Sequence, residues 1–151
     1  MKLAIAVAAA LVFTSAALAQ SQQFVPLATY LQQDIAKDPA ALGYVATRCS
    51  ALYLVFSAML EDEVAPERQK QRQSFMQASL KFQEIALKAR MTGTTTALKD
   101  AGRDVGQTQN AVALLYNERI THAKTLSNNM FSDPLISGDF NACKVLLNGL
   151  Q

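Results

Sequence analysis

The sequence predicts an all-α protein in which four long helices and a short C-terminal helix form a bundle, linked by a Cys49–Cys143 disulfide, after a cleaved signal peptide. Three observations support this fold class. Apolar residues recur at spacings of three and four, and no strand-type alternation persists. The 6 glycines and 4 prolines mostly fall where helices should begin or end. The two cysteines lie far apart, behind an export-type leader.

Residues 1–19 have the pattern of a secretory signal peptide. Lys2 gives a positive start, an apolar run follows over residues 3–13, and small residues then end in an A-x-A cleavage site at Ala19. The run is shorter than the roughly 20 apolar residues that a bilayer span needs. We therefore expect a mature chain of residues 20–151 and a periplasmic or secreted location in a bacterium.

The mature chain is long enough for one helical-bundle domain with a single core. Removing Lys2 leaves 14 − 1 = 13 lysines and arginines against 12 aspartates and glutamates. Because this balance creates no long-range field, we expect no nucleic-acid partner. We also expect no transmembrane span in the mature chain, on the expectation that no later segment is both long and apolar enough. The sequence indicates no oligomeric state.

Cys49 and Cys143 are predicted to form an intramolecular disulfide. Exported proteins reach compartments where thiols oxidise, and two cysteines allow only one intramolecular pairing. The alternative is a reactive thiol. It is disfavoured because the sequence has no C-x-x-C motif and its only histidine cannot be placed near either cysteine.

The first two predicted helices cover residues 25–37 and 39–63. Pro26 falls in the first turn of the first helix, where a missing N–H costs nothing. Asp38 and Pro39 suit the cap and first position of the second helix. The second helix has the broadest apolar face, which includes Leu42, Val45, Cys49, Leu52, Phe56 and Met59.

The third and fourth helices are predicted over residues 66–91 and 97–128, with Gly93 as the stop between them. Gly102 and Gly106 lie four apart on one face of the fourth helix. Two hypotheses compete here: a close helix crossing over small residues, or a break. We expect a continuous but locally weak helix, because each glycine costs about 1 kcal/mol relative to alanine.

The C-terminal part is predicted as a loop over residues 130–138, with Asp133-Pro134 as its turn, followed by a short helix over 139–147. Ser137 or Asp139 would cap that helix. A helix this short is marginal alone. The disulfide would hold it against the middle of the second helix.

Four polar residues stand out as weak site candidates: Arg48, Glu118, Arg119 and His122. Glu118, Arg119 and His122 share one helical face, which allows a carboxylate-oriented histidine base. We favour an exposed polar group instead, since no nucleophile motif accompanies it. Arg48 and Arg119 interrupt apolar stripes and are expected to extend past the core edge to water. Alternatively, each faces a carboxylate or an anionic ligand inside the bundle.

The sequence assigns no catalytic, cofactor-binding or metal residues. The acidic turn over residues 61–63 lacks the oxygen-ligand spacing of a calcium loop. No C-x-x-C-H motif attaches haem, and a histidine–methionine pair through His122 is disfavoured because methionines at helical spacing usually fill cores. We therefore expect no cofactor.

The leading functional hypothesis is a non-enzymatic exported protein that presents a rigid helical surface to an envelope partner: a protein, a peptide or the cell wall. Its basis is the strong amphipathic helices, the long-range disulfide and the missing catalytic set. The alternative is a periplasmic carrier of a small molecule or haem in the bundle core, with Arg48, Arg119 or His122 at the mouth. An enzyme of unknown type ranks third.

Overall fold

The computed structural model describes residues 24–32 and 34–149, which form helices and turns with no strand among them. The predicted leader, residues 1–19, lies outside the described residues. Five α-helices follow one another: α1 Leu27–Leu31, α2 Pro39–Ala58, α3 Pro66–Met91, α4 Leu98–Ser127 and α5 Pro134–Gly149. Two short 3₁₀ turns, Ile35–Lys37 and Met130–Ser132, precede α2 and α5. The predictions of an all-α bundle and of the Cys49–Cys143 disulfide are confirmed.

The central helix of the bundle is α2, which packs against α3, α4 and α5. Its residues 45–57 are buried except for Leu54. Gly43 allows close contact with α3, because a Cβ atom there would lie 3.4 Å from the Cβ of Ala89. Small residues at such positions let two helix backbones approach while the larger side chains interdigitate on either side.

α2 has the length and composition of a membrane span, so the expectation that no segment after residue 19 is both long and apolar enough is wrong. Its most apolar 18-residue window reaches a mean hydropathy of 1.2, and 67% of that window is buried inside the protein. The core helix of a soluble bundle has both properties. The apolar character of α2 is therefore accounted for by its contacts with the neighbouring helices.

A cluster of six rings fills the core around the C-terminal half of α2. Neighbouring ring centroids lie 5.3 to 6.1 Å apart, a range in which aromatic pairs attract each other. We call this set the aromatic cluster; it comprises Tyr53, Phe56, Phe75, Phe82, Phe131 and Phe140. It joins α2, α3 and α5 into one packed unit.

The first predicted helix is wrong in length. Instead of one helix over residues 25–37, α1 has five residues, and the chain re-enters the core at Ile35 in a 3₁₀ turn. Asp34 has a non-helical ψ of 71°. The path is set by tertiary contacts, since the N–H of Leu27 donates to the Asp139 carboxylate at 2.8 Å.

The long central helices agree better with prediction. α3 has the predicted bounds, and α4 is continuous through Gly102 and Gly106. A Cβ atom at either glycine would meet nothing within 4 Å, so no close helix crossing occurs there. α2 ends at Ala58 rather than at residue 63. The acidic residues 61–63 therefore lie after the helix and not in its last turn, where they would oppose the helix dipole.

The start of α5 corrects the predicted loop over residues 130–138. The Asp133 carboxylate accepts from the N–H groups of Leu135 and Ile136 at 2.8 and 3.1 Å, and Pro134 is the first residue of the helix. Asp133-Pro134 is therefore a helix start and not a loop turn. The predicted cap at Ser137 or Asp139 is wrong, and α5 has 16 residues.

Candidate functional site

The most polar part of the interior is built around Arg48, whose side chain is 0% exposed. The expectation that Arg48 extends past the core edge to water is wrong. Its guanidinium forms an ion pair with Asp139 of α5, which is also 0% exposed. A buried arginine needs such a partner, because an unpaired charge in the interior is costly. The alternative hypothesis, a carboxylate facing Arg48 inside the bundle, describes the structure.

Tyr116 of α4 completes this buried network. Its hydroxyl donates to Asp139 Oδ2 at 2.5 Å and accepts from Arg48 Nε at 3.0 Å. The other carboxylate oxygen of Asp139 accepts from the N–H of Leu27. The network therefore connects α2, α4, α5 and the N-terminal segment through hydrogen bonds to charged groups, which are stronger than neutral ones.

The remaining nitrogen of the Arg48 guanidinium, Nη1, binds the segment before α2 and also Tyr44 of α2. Nη1 donates to the carbonyl of Val25 at 2.6 Å and to the Tyr44 hydroxyl at 3.2 Å. The Phe24 ring lies over the guanidinium, 4.5 Å from its carbon to the ring centroid. Every guanidinium nitrogen thus has a partner, and an aromatic face covers the cation.

Burial and neighbouring charges determine the protonation of Tyr116 and Arg48. Burial raises the pKa of Tyr116, and the negative charge of Asp139 raises it further, while Arg48 lowers it. Burial lowers the pKa of Arg48, but Tyr116 and Asp139 outweigh this effect and the net pKa is raised. The tyrosine stays neutral and the arginine charged, as the hydrogen bonds require. Each guanidinium nitrogen, the tyrosine hydroxyl and both carboxylate oxygens have a partner within the chain, so the network positions helices.

A second buried polar cluster joins α2, α3 and α4. The Ser50 hydroxyl donates to the carbonyl of Ser79 at 2.8 Å, and the Ser79 hydroxyl donates to the carbonyl of Ser50 at 2.9 Å. Gln109 donates to the Ser50 hydroxyl at 2.9 Å and accepts from Gln83 at 3.0 Å. This cluster fixes the relative position of the three long helices.

The remaining sequence candidates lie on α4, apart from this interior. Arg119 is half-buried and pairs with Asp133 at 2.9 Å, so it meets a carboxylate rather than extending freely into water. Glu118 and His122 are exposed, and no hydrogen bond or ion pair within the described residues involves either one. The structure therefore does not assemble Arg48, Glu118, Arg119 and His122 into one site.

No metal centre is apparent in the part of the chain that the structure describes. Within residues 24–32 and 34–149, no three His, Cys, Asp or Glu side chains are grouped to hold an ion. Haem ligation through His122 would require a methionine beside an exposed α4 position. Met59 and Met130 line one concavity at an end of the bundle, and His122 is not among its lining residues.

A groove with a volume of about 530 Å³ lies between α2 and α4. We call it the α2/α4 groove. Leu114 lines the groove and keeps 72% of its surface exposed. The lining is apolar apart from two amides and contains no charged residue; it comprises Leu54, Val55, Ala58, Met59, Asn110, Ala113, Leu114 and Asn117.

Neither the partners of Arg48, which are Asp139 and Tyr116, nor the groove was predicted from the sequence. A signal for the first existed, because the predicted disulfide places the neighbours of Cys49 beside those of Cys143. Arg48 precedes the first cysteine and Asp139 lies one turn before the second. The groove has no comparable sequence signal, since it depends on the angle between two helices.

Comparison with protein-family models, with curated proteins and with solved structures finds no match for this chain.

Proposed function

We propose that this is an exported, non-enzymatic helical protein of the bacterial envelope or its exterior, which presents the α2/α4 groove to a partner protein. A disulfide is typical of oxidising compartments outside the cytosol, which agrees with the export pattern of residues 1–19. The ionisable groups in the interior are engaged in holding helices together, which favours a binding role over catalysis.

One observation supports the groove: its lining is apolar apart from two amides and contains no charged residue. On α4, Asn110, Leu114 and Asn117 share a face, and on α2, Leu54 and Ala58 do the same. A channel between two helices with this composition fits an amphipathic helix, whose apolar face supplies anchors at spacings of three and four. The amides supply hydrogen bonds at its edge. We therefore propose a helical segment of another protein as the partner.

The proposal can be tested by photo-crosslinking in cells that make the protein. A benzoylphenylalanine introduced at Leu114 should give one discrete protein adduct, identified by mass spectrometry. Val145 on α5 is the matched control position, because it is also an exposed aliphatic residue on a helix, with 65% of its surface accessible. A Leu54→Lys change should abolish the adduct at Leu114 by placing a charge in the groove.

Three outcomes would contradict this function. No adduct at Leu114 means that the groove is unoccupied. The same adducts at Val145 mean that contact is nonspecific. An adduct between two copies of this chain replaces an envelope partner with self-association.

A further inference from the structure

A second concavity lies at the end of the bundle where α2 and α4 end and α3 begins. It encloses about 400 Å³, within the range of small-molecule sites in proteins, roughly 300–1,000 Å³. We call it the end pocket. Its lining combines apolar residues with a polar edge: Phe56, Met59, Leu60, Glu63, Arg68, Gln71, Phe75, Lys124, Met130, Phe131 and Phe140.

Four rings of the aromatic cluster form the floor of the end pocket. Phe56 is 3% exposed and holds Phe75, Phe131 and Phe140 at centroid distances of 5.5, 5.8 and 5.3 Å. Phe131 keeps 38% of its surface exposed, which is unusual for a ring in contact with the core. Four rings of fixed orientation offer an apolar wall to a hydrocarbon chain without prior rearrangement.

Two methionines complete the apolar part. Met59 and Met130 are half-buried and line the pocket from α2 and from the turn after α4. Unbranched, polarisable thioether side chains adapt to ligands of varied shape. The pocket therefore suits a flexible apolar group better than one rigid molecule.

The edge of the end pocket carries a net positive charge. Arg68 and Lys124 are exposed, and no carboxylate of the described residues lies within 4 Å of either charge. Arg68 makes only a hydrogen bond to Gln71 at 3.2 Å. The single carboxylate in the lining is Glu63. Two cations and one anion leave an excess positive charge next to the apolar floor.

From this combination we propose that the end pocket binds an amphiphilic carboxylate: a hydrocarbon chain lies on the aromatic cluster, and the carboxylate binds between Arg68 and Lys124. Arg68 of α3 and Lys124 of α4 can each donate to one oxygen of the carboxylate. Such charge-assisted hydrogen bonds are stronger than neutral ones. The end pocket meets the α2/α4 groove at Met59, which lines both. Arg68, Lys124 and Met130 line the end pocket and not the groove, so binding at either place can fail without the other.

The test uses the four methionines at residues 59, 76, 91 and 130 as reporters. Protein labelled with ¹³C at the methionine methyl groups is titrated with decanoate below its micelle concentration and followed by NMR. Met59 and Met130 should shift in a saturable way. Met76 and Met91 do not line the end pocket, so their signals should stay in place. Decanol and decylamine serve as neutral and cationic probes of the same chain length.

Charge-removing variants test the edge. The double variant Arg68→Gln/Lys124→Gln should weaken decanoate binding about tenfold or more, as expected from the loss of two charge-assisted contacts, and should leave decanol binding within about twofold. The matched control is Lys99→Gln/Arg103→Gln, which removes the same charges at the opposite end of α4 and should leave both affinities unchanged.

The proposal is overturned by an unsaturable or absent response, by equal shifts at all four methionines, or by decanol binding as tightly as decanoate. It is also overturned if the control variant weakens decanoate as much as the edge variant does. All four changed residues are exposed, so folding is expected to survive each variant.

Discussion

Arg48 and Asp139 form an ion pair directly beside the disulfide: Arg48 precedes Cys49, and Asp139 lies one helical turn before Cys143. A covalent bond and a salt bridge therefore join α2 to α5 at the same level of the bundle. Both charged side chains are 0% exposed. Water does not compete for them, so each depends on the other for compensation of its charge.

Breaking this pair from one side should be strongly destabilising. Asp139→Leu leaves the Arg48 charge buried without a counter-ion, and we expect a loss of about 3–5 kcal/mol in the free energy of unfolding. Urea denaturation followed by circular dichroism measures it. Asp34→Leu removes an exposed partner of Lys37 and is the matched control, with an expected loss below about 1 kcal/mol.

Removing both charges should cost less than removing one. In Arg48→Met/Asp139→Leu no uncompensated charge remains, and apolar side chains of similar length fill the space. We expect this double variant to recover most of the stability lost in Asp139→Leu, as a double-mutant cycle would show. A single Asp139→Leu variant as stable as the Asp34→Leu control would refute the role assigned to the pair.

Elements with local signals were predictable from sequence. α3 and α4 begin and end near Pro66, Gly93 and Asn128, whose effects depend on the backbone of one or two residues. Gly93 and Asn128 have positive φ values of 69° and 54°, which favour glycine and asparagine at helix ends. The disulfide was predictable because two cysteines allow one intramolecular pairing, and the export pattern of residues 1–19 favours their oxidation.

Elements set by distant contacts were not predictable in the same way. The spacing of Leu27, Leu31 and Ile35 fits one helix, yet the anchor of Leu27 on Asp139 and the burial of Ile35 divide the segment. By contrast, Asp133-Pro134 has the same chemistry as Asp38-Pro39 and starts a helix in the same way, so a local signal for the start of α5 was present although the pair was predicted to be a turn. The two pockets depend on how helix ends diverge, which residue spacing does not encode.

The disulfide should supply a large part of the net stability. It closes a sequence separation of 94 residues, for which the chain-entropy relation gives about 4–5 kcal/mol. We expect Cys49→Ala/Cys143→Ala to lose that amount in urea denaturation, and reduced wild-type protein to match the variant. Alkylation of unreduced protein followed by mass spectrometry should modify neither cysteine; two modified thiols would contradict the structure.

Stability should fall at alkaline pH because the pKa of Tyr116 is raised by burial and by Asp139. An unfolded tyrosine loses its proton near pH 10, whereas folded Tyr116 keeps it. The contribution of the Tyr116 proton to the free energy of unfolding is therefore fully present below about pH 10. It is lost as the pH rises further, by up to about 1.4 kcal/mol per pH unit. Burial raises the pKa of Tyr53 in the same direction.

The measurement is the free energy of unfolding between pH 8 and 11 in the wild type and in Tyr116→Phe. The variant is expected to be less stable throughout, since Asp139 and Arg48 lose a partner, but its decline above pH 10 should be shallower by the contribution of one group. Parallel declines in the two proteins would show that Tyr116 does not titrate as its environment indicates.

Gly102 and Gly106 should be replaceable with a gain in stability. Both lie inside α4 with helical backbone, and a Cβ atom at either would meet nothing within 4 Å. Alanine removes conformational freedom from the unfolded chain, so each substitution should stabilise the protein by about 0.5–1 kcal/mol. Thermal unfolding of Gly102→Ala, Gly106→Ala and the double variant measures the gain.

Gly93 provides the contrasting control. Its φ of 69° lies in the left-handed region that alanine adopts at a cost, and Gly93→Ala should therefore destabilise by about 1–2 kcal/mol although its Cβ also meets nothing. A gain in stability at Gly102 and Gly106 with a loss at Gly93 would show that backbone conformation decides the effect, because a Cβ atom meets nothing within 4 Å at any of the three. A loss of stability at Gly102 and Gly106 would instead contradict the helical backbone and the open surface assigned to the two glycines.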